Sequence, residues 1–167
     1  LAELGAHAEE VRVRLATGRA YLAAGLYAEA RAACADAASR ADEHELRHDA
    51  GFARFTLALA LIGLDDLSGA GGELDRATAH FAAAADRQYL ARVRLTRAEL
   101  AILRDEPDAA ADLLAEAIRT LESGSWQVPL ASARLLEVDL APPAGRMELL
   151  TALGPLLHDL GVPELRH

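Results

Sequence analysis

Four arginines, Arg14, Arg54, Arg94 and Arg134, stand 40 residues apart, and each is followed by a bulky apolar residue: Leu15, Phe55, Leu95 and Leu135. Small residues keep the same spacing at Ala30, Ala70 and Ala110, and again at Ala37, Ala77 and Ala117. A period of this length is the mark of stacked supersecondary units, each burying its apolar face against its neighbours. The units are helical. No stretch alternates apolar and polar residues like a strand over any useful length. The composition is 52% apolar but only 4% aromatic, with alanine dominant, which favours close helix–helix packing.

The first unit shows the pattern best. Val11–Ala24 is expected as a helix apolar or small on two faces (Val11, Leu15, Gly18, Leu22; Val13, Ala16, Ala20, Ala24) and so sandwiched between neighbours. Gly25 suits a left-handed C-terminal cap, and a second helix follows from Ala28 to about Asp42. Helices are expected at about 48–64 and 67–85, then at 89–104 and 107–122, with Pro107 in a first turn where proline is tolerated. A fourth pair spans about 126–140 and 145–160, and Gly154-Pro155 should kink or break its second helix. The expectation is one all-α repeat domain over residues 1–167, with eight helices in four antiparallel hairpins at about 8–45, 46–86, 87–124 and 125–163.

Gly18, Tyr21, the run Gly25-Leu26-Tyr27-Ala28-Glu29-Ala30, and Ala37 resemble the tetratricopeptide (TPR) repeat signature. Units two and three keep the small positions (Ala58, Ala70, Ala77; Ala98, Ala110, Ala117) but replace the Gly-x-Tyr turn by Asp65-Asp66-Leu67 and Asp105-Glu106-Pro107. The period exceeds the usual 34 residues or so, which resembles the long-repeat TPR arrays attached to bacterial transcriptional activators or CHAT-type proteases. The resemblance covers about residues 10–140. It implies a right-handed superhelical solenoid within a larger cytoplasmic bacterial protein.

Composition narrows the partners. A net charge of −9 argues against direct nucleic-acid binding, which needs a clustered basic surface. All 17 basic residues are arginine, read here as the coding bias of a GC-rich genome. The single cysteine, Cys34, can form no internal disulfide and sits in an Ala-rich helix as a small buried hydrophobe, which points to a reducing compartment. No apolar run reaches membrane-span length, so no membrane partner is expected. Position 1 is Leu, and Glu164-Leu165-Arg166-His167 repeats Glu45-Leu46-Arg47-His48, so a fragment of a longer array is expected, with self-association through the terminal repeats as a further partner class.

One motif promises chemistry. His44-Glu45-Leu46-Arg47-His48 reads H-E-x-x-H, with Gly51 at the metallopeptidase spacing. On one helix the two histidines would share a face and Glu45 could activate a zinc-bound water. The third-ligand position, however, is Arg54, a permanent cation that cannot bind zinc. The motif also falls where the chain should turn between units. It is read as fortuitous, and no metal, cofactor or catalytic residue is expected. Asp65-Asp66 and Asp105-Glu106 read as turn and capping acids. Gly69-Ala70-Gly71-Gly72 lacks the strand and lysine of a phosphate loop and reads as a place where two helices come close.

The first helix of each unit would line the concave surface of such a solenoid, the usual binding face. That face carries Arg12, Leu15 and Arg19, then Phe52, Phe55 and Leu59, then Arg92, Leu95 and Glu99, an apolar centre flanked by arginines. It suits a peptide or helix with hydrophobic anchors and some negative charge. A protein-interaction or scaffold module is the leading expectation. A small-molecule-sensing domain of a transcriptional activator is the alternative, and a zinc peptidase the remote one. The periodic arginines point about 130° away from this groove, toward the hairpin partner, where each should find a carboxylate or helix-end carbonyls.

Overall fold

A computed structural model describes residues 2–124 and 126–161. Among these residues the chain forms eight helices and no strand: α1 (Ala2–Ala23), α2 (Tyr27–Glu43), α3 (Arg47–Gly63), α4 (Leu67–Ala83), α5 (Arg87–Leu103), α6 (Pro107–Glu122), α7 (Gln127–Leu140) and α8 (Pro143–Asp159). The fold is all-α, a run of helix hairpins in which consecutive helices pack on one another. The echo at Glu164–His167 lies outside the described residues. The chain divides into two compact units, Leu1–Val93 and Arg94–His167, with the division inside α5.

The turns explain the regularity. Left-handed backbone recurs every 20 residues, at Gly25 (φ 73°), Glu45 (φ 56°), Asp65 (φ 61°), Ala85 (φ 53°) and Asp105 (φ 61°), and occurs once more after α8 at Gly161 (φ 72°). At each of the recurring positions, the next residue's N–H donates back to the carbonyl five residues earlier: Leu26 to Tyr21 (2.9 Å), Leu46 to Ala41 (2.8 Å), Asp66 to Leu61 (2.9 Å), Asp86 to Phe81 (2.9 Å) and Glu106 to Ala101 (2.9 Å). This is the Schellman closure, which satisfies helix-end carbonyls that otherwise lack partners. The same residue's carbonyl accepts the first bond of the next helix, as in Ala30 N–H to Leu26 (2.9 Å) and Ala70 N–H to Asp66 (3.0 Å). One residue thus ends a helix with its N–H and begins another with its C=O, leaving three-residue connections. The 40-residue sequence period is two such 20-residue steps.

Only one of the five positions in the 20-residue series is glycine. Ala85 carries a Cβ in a conformation that costs an L-residue roughly 1–2 kcal/mol, against roughly 0.5–1 kcal/mol of extra unfolded-state freedom for glycine. Ala85→Gly is therefore expected to stabilise by about 0.5–1 kcal/mol, and Gly25→Ala to destabilise. Urea denaturation midpoints test both; an Ala85→Gly protein no more stable than the parent would contradict the strain.

Within the first unit, α2 packs between α1 and α3, and α3 in turn packs on α4. The buried face of α2 is Ala30, Cys34, Ala37, Ala38 and Ala41, with no large side chain, so its neighbours approach closely. A Cβ added at Gly18 would overlap the Cys34 sulfur. Leu15 packs with Ala37, Ala38 and Ala53, and Val11 with Ala41 and Ala50. Helix α3 is buried around much of its circumference, from Ala50 and Gly51 through Phe55, Thr56 and Leu57 to Leu61. Thr56 is accommodated there because its hydroxyl donates to the Phe52 carbonyl at 2.9 Å. In the second unit α6 packs on α7 and α7 on α8. The α6 stripe Ala110, Leu114, Ala117, Ile118 and Leu121 is buried.

Several expectations are corrected. Helix α1 begins at Ala2, well before Val11, and buries one face only: Val11, Leu15 and Gly18 are inside, whereas Val13 is 59% exposed and Ala16, Ala20 and Ala24 are open. Helix α8 continues through Pro155 to Asp159. Thr151, Gly154 and Pro155 are all exposed, so water can satisfy the carbonyl that Pro155 cannot serve. The glycine run at the start of α4 brings no second helix close at Gly72, where an added Cβ would meet nothing within 4 Å. Gly69 instead makes room for the cap, its N–H donating to Asp66 Oδ1 at 2.8 Å.

Candidate partner-binding face

The periodic arginines are cross-helix ties. Arg14 holds Asp36 of α2 at 2.7 Å and Glu10 of its own helix at 2.9 Å. Arg40 joins the same two carboxylates at 3.2 Å each, closing a four-membered charge cluster. The hydrogen bond from Arg14, and then the Arg40 charge, hold the Glu10 carboxyl below its ordinary range. Arg94 reaches Glu116 of α6 at 2.9 Å. Arg54 ties α3 to both neighbours, through Asp42 of α2 and Glu73 of α4 (3.0 Å). Arg134 ties α7 to Glu122 of α6 and bonds Glu137 at 2.6 Å. All four arginines are engaged within the scaffold.

The H-E-x-x-H pentapeptide does not lie on one helix. His44 is the C-cap residue of α2, Glu45 is left-handed, and His48 sits in the first turn of α3. The rings have separate contacts: His44 stacks on His7 (centroids 3.8 Å apart), and His48 Nε2 lies 3.2 Å from Asp86 Oδ2. Among the described residues no group of three or more His, Cys, Asp or Glu side chains is arranged to hold a metal. The one-helix geometry that zinc chemistry needs from this motif is absent. Cys34 is fully buried, and desolvation pushes its thiol up to about 11, so it acts as a packing residue.

The nine residues of the expected binding face fall into three kinds. Leu15 (7% exposed), Phe55 (5%) and Leu95 (7%) are core residues with little surface left for a partner. Arg12, Arg19 and Glu99 are exposed. Arg12 lies 3.6 Å from Asp49 of α3, and Arg19 makes no ion pair among the described residues. Phe52, Leu59 and Arg92 are half-buried. Helix α1, with Arg12, Arg19 and half-buried Leu22, packs on α3, which carries Phe52, Leu59 and half-buried Ile62. Leu95 and Glu99 belong to the second unit.

Sequence reasoning missed the aromatic cluster behind this face. Phe52, Phe55, Phe81 and Tyr89 comprise all three phenylalanines of the chain and one of its three tyrosines. Phe52 meets Tyr89 edge-on (4.2 Å) and Phe81 edge-on (5.6 Å), and Phe81 stacks on Tyr89 at 5.0 Å. The Arg92 guanidinium lies 4.8 Å from the Tyr89 ring centre and 5.5 Å from that of Phe55, a cation–π arrangement. Asp86 caps the start of α5 by accepting the Tyr89 N–H at 3.0 Å, and its other oxygen faces His48. The missed signal was the 37-residue separation of Phe52 and Tyr89, two helices apart, which the 40-residue period does not align.

Known proteins supply no further constraint: no family model matches the chain, and no curated protein matches it significantly. Among the described residues no helix is long and apolar enough to cross a membrane.

Proposed function

We propose that this chain is a TPR-like protein-interaction module that binds a peptide or helix carrying hydrophobic anchors and acidic residues. The observation behind this reading is the packing of α1 on α3 in the first unit, with exposed Arg12 and Arg19 on α1 and half-buried Phe52 and Leu59 on α3. Half-buried apolar side chains and exposed cations on packed helices can supply hydrophobic anchoring together with charge-assisted partners, the combination that concentrates binding energy in a few residues. The aromatic cluster beneath holds Phe52 in place, so little ordering entropy is lost on binding.

Selection from a random twelve-residue peptide library on the purified chain tests this. Enriched peptides should combine Leu, Phe or Trp with Asp or Glu. Their affinity should fall at least tenfold for Arg19→Glu combined with Leu59→Glu, both outside the buried core. Peptides that bind the double variant as well as the parent would place the binding face elsewhere.

A further inference from the structure

Five half-buried arginines, Arg14, Arg40, Arg54, Arg94 and Arg134, each have an Asp or Glu oxygen within 3.2 Å. Arg92 is half-buried too, in a chain with 26 acidic residues against 17 basic ones. Yet among the described residues its guanidinium meets no carboxylate and no hydrogen-bond acceptor. Two rings hold it instead, with the guanidinium carbon 4.8 Å from the centre of Tyr89 and 5.5 Å from that of Phe55. The rings offset part of the cost of taking the cation out of water, but they leave its five N–H donors without an oxygen partner.

Tyr89 adds a second open donor. It is half-buried, and its hydroxyl makes no hydrogen bond among the described residues. The ring itself is fixed: Phe52 meets it edge-on at 4.2 Å, Phe81 stacks on it at 5.0 Å, and Asp86 accepts its backbone N–H at 3.0 Å. All of these residues belong to the first unit. One anchored ring therefore carries a half-buried apolar side chain, Phe52, and an uncommitted cation, Arg92, both against it. Donors held in this way lose little freedom on binding, and the planar guanidinium fork matches the two oxygens of a carboxylate.

We infer that Arg92 and the Tyr89 hydroxyl form a carboxylate-binding site, with Phe52 taking the apolar body of the same ligand. In naming the source the inference rests on the peptide reading above: the carboxylate is an Asp or Glu side chain of the partner, at a fixed spacing from an apolar residue. Arg12 is less suited to that role, because Asp49 already lies 3.6 Å from it.

Two arms test this. In the first, phenylacetate is titrated into the isotope-labelled 167-residue chain, with phenylacetamide as the uncharged isostere. Phenylacetate should shift the Arg92 side-chain N–H and the Tyr89 backbone amide with a Kd on the order of 1–10 mM, as befits so small a ligand. Phenylacetamide should bind at least tenfold more weakly. Arg92→Gln should abolish the Tyr89 shift with helicity by circular dichroism unchanged, and Tyr89→Phe, which keeps the ring, should weaken binding severalfold. Arg92→Met serves should the Gln variant disturb the fold. Equal binding of acid and amide would overturn the site, and so would phenylacetate binding that survives loss of Arg92. In the second arm the peptide selection is repeated on Arg92→Gln. Enriched peptides should keep the apolar anchor and lose the acidic residue at a constant spacing from it. An unchanged acidic residue would show that the acid is read elsewhere and overturn the assignment. A parent chain that enriches no peptide overturns the protein-interaction reading instead, and phenylacetate then decides the carboxylate site by itself.

Discussion

Phe81→Ala is expected to cost the first unit about 3–5 kcal/mol, the range for removing a fully buried phenylalanine. Phe81 is wholly inaccessible and is the largest fully buried side chain among the described residues. It touches two other helices: Phe52 and His48 of α3 edge-on, and Tyr89 of α5 by stacking. Its ring also lies against the bare backbone of Gly51, where an added Cβ would come within 3.0 Å of Phe81 Cε1. The pocket walls are helix backbones and other aromatic rings, which collapse poorly into a void, so the cost should fall at the upper end. At roughly 2–4 °C per kcal/mol for a chain of this size, the melting temperature should drop by roughly 6–20 °C. Urea denaturation followed by far-UV circular dichroism measures the loss. Phe81→Leu should recover more than half of it. A Phe81→Ala protein within about 1 kcal/mol of the parent would mean that the cluster does not close around this ring.

The helical architecture was legible because its signal is local. Alanine-rich apolar spacing, Gly25 and Pro107 mark where helices run and turn, and the starts of α2 to α6 fall within two residues of expectation. The 20-residue step was hidden because its turn position accepts Gly, Glu, Asp, Ala and Asp in succession. Hydrogen bonds of the backbone define that turn, and no single side chain does. The face of α1 misled for a different reason. Val13, Ala16 and Ala20 have the composition of a buried stripe, but burial depends on a neighbour that composition cannot supply. Of the residues expected to face a partner, Arg12 and Arg19 stand exposed, while Leu15 and Phe55 were drawn into the core by the alanines of α2 and the rings of the aromatic cluster. Tyr89 and Phe81 could not be placed beside Phe52 until the turns between α3, α4 and α5 were known.

Arg54→Ala should cost about 2–3 kcal/mol, several times the effect of Arg94→Ala, although both belong to the same periodic set. The distinction is burial. The Arg54 side chain is 15% exposed and its partner Glu73 12%, whereas Arg94 is 32% and Glu116 48% exposed. Exposed pairs contribute roughly 0–1 kcal/mol, while stripping one member from a buried pair leaves a desolvated charge and costs roughly 3–5 kcal/mol. Arg54 falls between these limits because Asp42, its second partner, is 38% exposed and open to water. Loss of Arg54 also leaves Glu73 with only the exposed Arg76, and Asp42 with His80 at 3.6 Å. Arg54→Met separates the two components, since it keeps an apolar stem between α3 and α4 and removes only the charge. If the charge dominates, Met should lose nearly as much as Ala, and 1 M salt should narrow the gap to the parent only slightly, because buried pairs are weakly screened. Peptides selected on the α1/α3 face should bind the folded Arg54→Ala protein with unchanged affinity. Equal stability losses in Arg54→Ala and Arg94→Ala would show that the whole ladder is a solvated rim and that alanine packing alone sets the register of the helices.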